Sequence, residues 1–260
     1  MVAGGLSRIL AVAANTFRET IREKVLYNLV FFALLMTLAG LLLKPLSIRQ
    51  DEKIIKDIGL ASLELFGTLI ALFMGVSLVG KEIERRSLYP ILAKPLSRGE
   101  FLLGKFAGLA FTLIVNVGVI TLGLYLTLWA TARTASPQLL QAVFAIYLGL
   151  LLVVAVALLF STLTSSAPMA LVCSVCLVVA GRFADVIRNM REVAPGVPGW
   201  ITQVLYYALP NFRDFDLKAR VVYGEPVSTS DLGWIALYAG AYIVVVLGVA
   251  LSVFRSKDLQ

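Results

Sequence analysis

Between Lys105 and Arg182 the only charged residue is Arg133. A soluble domain cannot carry so long a stretch with so little charge, because it would have too little polar surface to hydrate. A transmembrane helix needs about 20 mostly apolar residues, and this stretch holds several such lengths. The rest of the chain agrees: of 260 residues 59% are hydrophobic and 15% charged, and mean hydropathy is +0.89. The sequence therefore predicts an all-α polytopic membrane protein, a single domain over 1–260.

Six transmembrane helices are read near 25–43, 58–80, 106–132, 138–163, 167–183 and 232–254. Lys44-Pro45 closes the first, Ser136-Pro137 turns the chain before the fourth, and STLTSSAP (161–168) turns it before the fifth. Ahead of the spans, Leu6, Ile9, Ala13, Phe17, Ile21 and Val25 recur mostly four apart, with Arg8, Asn15, Arg18, Glu19, Arg22 and Glu23 between them. That helical period with a basic polar face predicts an interfacial helix over 1–24. Charge continuing through Lys24 is unlike a cleavable leader. Residues 184–231 mix charge with Pro195, Gly196, Pro198 and Gly199 around WITQVLYYALP (200–210), a patch too short to span. They read as an extracytoplasmic segment carrying a re-entrant or interfacial helix, with Trp200, Tyr206 and Tyr207 at headgroup depth.

An even number of spans places both termini on one side. That side, with the charged block at 81–105, holds twelve Lys and Arg against eleven on the other. Six of the eleven belong to the long segment before the last span, counting Arg182 at its head. Long loops weigh little in the positive-inside rule, so both termini and the charged block are expected in the cytoplasm.

Composition also excludes chemistry. The formal charge of +7 would suggest nucleic acid in a soluble protein. Here it reflects basic residues flanking spans, so no nucleic-acid partner is expected. Absence of histidine removes imidazole catalysis, imidazole metal ligands and histidine pH switches together. Cys173 and Cys176 have redox or metal spacing, but within MALVCSVCLVVAG they read as small packing residues, and no metal site is expected.

The block KEIERRSLYPILAKPLSRGEFLLGK (81–105) cannot live in lipid and must project into water. Its first half can extend the second span as a helix, with Glu82 and Arg86 spaced i, i+4. Pro90 and Lys94-Pro95 break the helix, after which Ser97 and Glu100 form a capping box that starts the next one. The result is a helix–break–helix elbow between spans 2 and 3. A run of charges usually marks only a solvated, topology-setting loop. This one also carries both signs, a capped break and the apolar Ile83, Leu88, Tyr89, Ile91 and Leu92. Gly99 to Lys105 fits the start of a phosphate-binding loop, but Phe106 stands where Ser or Thr would hold magnesium and no strand precedes it. No ATPase site is therefore expected in this chain.

The run K-E-I-E-R-R-S-x-Y-x-I-L-A-K-P-L-S-R-x-E-F-L-L-G-K resembles the first cytoplasmic loop of ABC-2 type permeases, the membrane subunits of one class of ATP-binding-cassette exporters. Ser87 departs mildly from the Thr common there. The interfacial helix, six spans, long outer segment, Leu209-Pro-Asn-Phe212 with Phe215-Asp216, and closing F-R-S-K-D-L agree. The resemblance implies a permease of a bacterial-type cytoplasmic (inner) membrane, working as a dimer with a second copy or a sister permease. A separate ATPase subunit, binding ATP and Mg, would dock on the elbow, with Glu82, Glu84, Arg85, Arg86, Ser87, Tyr89, Lys94, Pro95 and Arg98 as the coupling residues. This chain itself would hold no cofactor.

Glu64, an ionisable group inside the second span, is a functional candidate by default. It and Asn116 of the third span are the candidates for a substrate path, with structural hydrogen bonding as the alternative. Gly104 and Gly108 have the G-x-x-x-G spacing that permits close helix approach. A self-sufficient secondary transporter or channel is the competing function. It would call for ionisable groups deep in several spans, or for broken helices in matched halves. An intramembrane enzyme would need paired carboxylates or histidine at span depth.

Overall fold

The structure, a computed structural model, describes residues 2–42, 51–84, 97–132, 136–164, 166–184, 186 and 209–256. Its regular structure there is entirely helical. The helices are α1 (Val2–Ile21), α2 (Lys24–Leu42), α3 (Asp51–Glu84), α4 (Arg98–Ala132), α5 (Gln138–Leu163), α6 (Ala167–Arg182), the short α7 (Lys218–Val222) and α8 (Thr229–Ser256). A 3-10 turn, Phe212–Phe215, precedes α7.

Several expectations lie outside the described residues. These are the elbow's turn with Arg85, Arg86, Ser87, Tyr89, Lys94 and Pro95, the side chains of Glu82 and Glu84, Lys44-Pro45, and the apolar patch at 200–208.

Among the described residues, four helical stretches are long and apolar enough to cross a membrane: Glu52–Ser77, Arg98–Thr131, Gln138–Leu163 and Thr229–Ser256. Leu29–Ala39 within α2 and Ala167–Arg182 are apolar but shorter. The 16 residues of α6 rise only about 24 Å, less than the roughly 30 Å hydrocarbon layer. The expected span boundaries hold well for α5 and α8, whereas α3 begins seven residues before its expected start at 58. Its extra turns are charged, with Lys56 Nζ 2.5 Å from Glu52. Ile54, Ile55 and Ile58 supply their inward face, so the helix outlasts the apolar run.

At the centre is α5, apolar on every side and buried along most of its length from Leu139 to Thr162. A helix without a polar face must be covered all round. Here α3 and α8 supply the most extensive cover. Gly67 and Gly75 of α3 let it approach α5 at Leu150 and Ala157. Large apolar side chains also face outward, among them Phe31 on α2, Phe111 and Leu122 on α4 and Val244 on α8. That is the outer surface of a bundle solvated by lipid tails.

Hydroxyls inside the helices are mostly satisfied locally. Those of Thr20, Thr37, Ser62, Thr68, Thr112, Thr127 and Ser174 each donate to the carbonyl four residues back. Such bonds let polar side chains sit in an apolar bundle at little cost.

Candidate functional site

The first turns of α1, the start of α4 and the last turn of α8 meet at one end of the bundle. There α4 starts at the expected capping box. The Ser97 backbone N–H donates to Glu100 Oε2 at 2.8 Å, and the Glu100 N–H donates to Ser97 Oγ at 3.2 Å. Two of the helix's otherwise unpaired donor groups are thereby satisfied. α4 has 35 residues and is about 52 Å long, so its first turns extend beyond a hydrocarbon layer of roughly 30 Å. In that outlying turn the Ser97 backbone N–H holds the Glu100 carboxyl below its ordinary value of 4.5.

Next to the cap, Arg98 closes the far end of the chain. Its Nη1 donates to the carbonyls of Phe254 at 2.6 Å and Arg255 at 3.1 Å, the last turn of α8. Carbonyls near a helix C-terminus carry its negative dipole end, so a guanidinium suits them. The same guanidinium lies 5.7 Å from the Phe254 ring, which stacks on Phe101 of α4 at 6.2 Å.

On its other side the base of α4 receives α1. The Gly104 and Gly108 pair is the seam. A methyl group at Gly104 would stand 2.6 Å from Val12 Cβ, and one at Gly108 would stand 2.6 Å from the Ala13 carbonyl. Only glycine admits a neighbouring backbone so closely. Lys105, 1% exposed, is enclosed at this seam with Nζ 3.8 Å from Glu19 and 5.5 Å from the Phe101 ring centre. Arg8 approaches Glu100 at 3.9 Å, and Phe17 meets Phe111 edge-on at 4.8 Å. Gly104-Lys105 is thus part of a continuous helix committed to α1, and no phosphate-cradling loop exists there.

The arrangement is mechanical. The start of α4 is bonded to the last turn of α8 and packed against α1. Of the nine expected coupling residues, Arg98 is placed here, turned toward α8.

At the opposite end lies a second polar cluster. Glu64 of α3 has one carboxylate oxygen 2.5 Å from Arg182 Nη1, at the end of α6, and the other accepts a hydrogen bond from Lys218 Nζ of α7. Arg182 also reaches Thr68 Oγ1 at 3.5 Å, and Lys218 lies 3.7 Å from Asp216. An open pocket of about 400 Å³ adjoins the cluster, lined by Lys53, Asp57, Asp216, Lys218 and Tyr223 among others. Asn116 takes no part in it. Its side-chain amide is buried on α4 and donates to the Thr112 carbonyl at 2.8 Å. The two expected path residues are therefore not joined by a hydrogen bond or ion pair. Cys173 and Cys176 are free thiols on α6, the second of them exposed.

Sequence reasoning found Glu64 but missed its partners. A carboxylate in a span demands a counter-charge, yet Arg182, Arg213, Lys218 and Arg220 were all available. Nothing in the spacing separates them.

Residues 10–187 match the family described as ABC-2 family transporter protein, well over half of the chain. The match begins within α1, runs through α6 and takes in the whole charged block. Curated proteins show no significant match to the chain.

Proposed function

The chain belongs to the ABC-2 transporter family, and from that premise we propose that it is the permease subunit of an ATP-driven exporter, coupled through the 81–105 elbow to a separate ATPase subunit. The observation that carries this reading is the junction of α1, α4 and α8 immediately after the elbow. A loop serving topology alone has no need of a capped helix start bonded to the last turn of α8. A loop that receives force does.

In this reading the ATPase binds ATP and Mg, and its closure presses on the elbow. Glu82, Glu84, Arg85, Arg86 and Lys94 supply charges that fix register, and Tyr89 supplies a buried anchor. Ser87 and Pro95 shape the turn, while Arg98 passes the displacement to α8. The permease switches between two states as the ATPase pair closes and opens. Two permease copies, or this chain and a sister, enclose the path. Both termini are cytoplasmic and α2 and α6 complete six spans, with local bilayer thinning accommodating the short α6.

A self-sufficient carrier is less well supported. It calls for ionisable groups deep in several spans, and Glu64 is the only acidic residue within the six spans read from the sequence.

The test is affinity purification of the tagged chain from its native membrane. An ATP-hydrolysing subunit should accompany it. Charge reversal at Arg85 and Arg86, with Glu82 kept, should deplete that subunit while membrane insertion is unchanged. Undiminished recovery of the ATPase would count against the elbow as its docking site.

A further inference from the structure

Residues 209–227 form a plug seated in the end of the bundle opposite the termini. Phe212, Phe215, Leu217, Val221 and Val227 are buried there. Gly181 of α6 makes room for the plug: a methyl group at that position would stand 2.3 Å from the Pro210 carbonyl. The Asn211 backbone N–H donates to the Tyr238 hydroxyl of α8 at 2.9 Å. The plug's charges face outward, apart from Lys218, which turns in to Glu64.

We propose that this plug is a gate and that Glu64 is its latch, with Lys218 as the bolt and Arg182 as the resident counter-ion. The argument lies in how the charges are shared. Glu64 and Lys218 are mostly enclosed, their side chains 16% and 19% exposed. An apolar pair would hold a permanent plug at least as well, since desolvation consumes most of what an enclosed ion pair gains. Breaking an enclosed pair is normally costly because a lone charge is left behind. Here neither partner is left alone. When the plug lifts, Glu64 retains Arg182 at 2.5 Å, and Lys218 leaves with Asp216, already 3.7 Å away on the plug itself. Both separating surfaces keep a counter-charge, so the closed state is held specifically while the step to the open state stays small.

The adjoining pocket of about 400 Å³ lies on the same seam between the start of α3 and the plug. Lifting α7 would open it further. On the permease reading the gate stands at the outer mouth of the path; the latch itself does not depend on that reading.

The experiment uses the full chain in lipid nanodiscs with Cys173→Ser and Cys176→Ser, and needs neither ATPase nor cargo. Val221→Cys places a thiol on the plug's own buried face, 1% exposed, and Ala145→Cys places one in the core of α5, 0% exposed. The rate of reaction with a membrane-impermeant maleimide is followed. Lys218→Gln should speed labelling at 221 by about tenfold, the effect of losing one partly enclosed ion pair, with position 145 still protected. Lys218→Arg, which keeps a cation facing Glu64, should leave labelling at 221 near the parent rate. An unchanged rate at 221 after Lys218→Gln would overturn the latch. So would equal acceleration at 221 and 145, which would mean that the whole bundle had loosened. Failure of the permease reading would show separately, as absence of an accompanying ATPase.

Discussion

Gly108→Ala is the sharpest probe of how α1 is held. The added methyl group would lie 2.6 Å from the Ala13 carbonyl oxygen and 2.7 Å from Thr16 Cβ. Ordinary contact begins near 3.4 Å. Backbone cannot step aside as a side chain can, so α1 must retreat by roughly 0.8 Å in a tightly packed seam. Overpacking of this kind costs about 1–3 kcal/mol. Against it, α4 gains about 1 kcal/mol from replacing a helical glycine. Gly118→Ala provides the reference: it lies in the same helix, and nothing stands within 4 Å of the new methyl group. The reference should be neutral or stabilising, and the difference between the two variants should be about 1–3 kcal/mol. Hydrogen exchange over residues 5–20, read by mass spectrometry on the protein in nanodiscs, measures it. Exchange should accelerate in Gly108→Ala and stay at the parent rate in Gly118→Ala. Equal exchange in the two variants would refute the packing argument, because only one of them carries the clash.

Ser97→Ala removes the hydroxyl that accepts the Glu100 N–H, and should cost about 0.5–2 kcal/mol as faster exchange confined to the first turn of α4. The other half of the box is pH-dependent. Since Glu100 is held below its ordinary value of 4.5, the protonated form is the weaker partner, so the stabilisation is present above that pH and lost as pH falls through the lowered value. Titrating exchange of the first turn from neutral toward acid should show protection falling only below about pH 4.5, and a loss of protection on raising the pH instead would contradict the assignment.

How far the sequence could be read depended on whether the cause was local. α5 was legible to the residue because an uncharged run flanked by Pro137 and the 161–168 turn has one outcome in lipid. The capping box was legible for the same reason, since all its atoms lie within four residues. The Gly104 and Gly108 pair signalled a close approach but not the identity of the neighbour; α1, read as an interfacial helix, fills that seam. The start of α3 was hidden because Asp51, Glu52, Lys53, Lys56 and Asp57 look like a loop in a hydropathy profile. They are helical because Ile54, Ile55 and Ile58 still follow the helical period. The Glu64 cluster joins residues more than a hundred positions apart, and no spacing rule encodes such a meeting. Arg98 illustrates the same limit: its charge and place in the elbow gave no sign of the last turn of α8, to whose carbonyls it donates.

Cross-linking from the elbow in native membranes is the most direct measurement of the coupling. With Cys173→Ser and Cys176→Ser as background, Leu92→Cys puts a single thiol on the elbow. A bifunctional thiol reagent should join it to a subunit that hydrolyses ATP, with a yield that changes when ATP is added. The thiol should also be shielded from an impermeant reagent applied outside intact cells. Labelling from outside, or a thiol that meets no ATPase with or without ATP, would contradict an elbow through which a cytoplasmic motor drives this bundle.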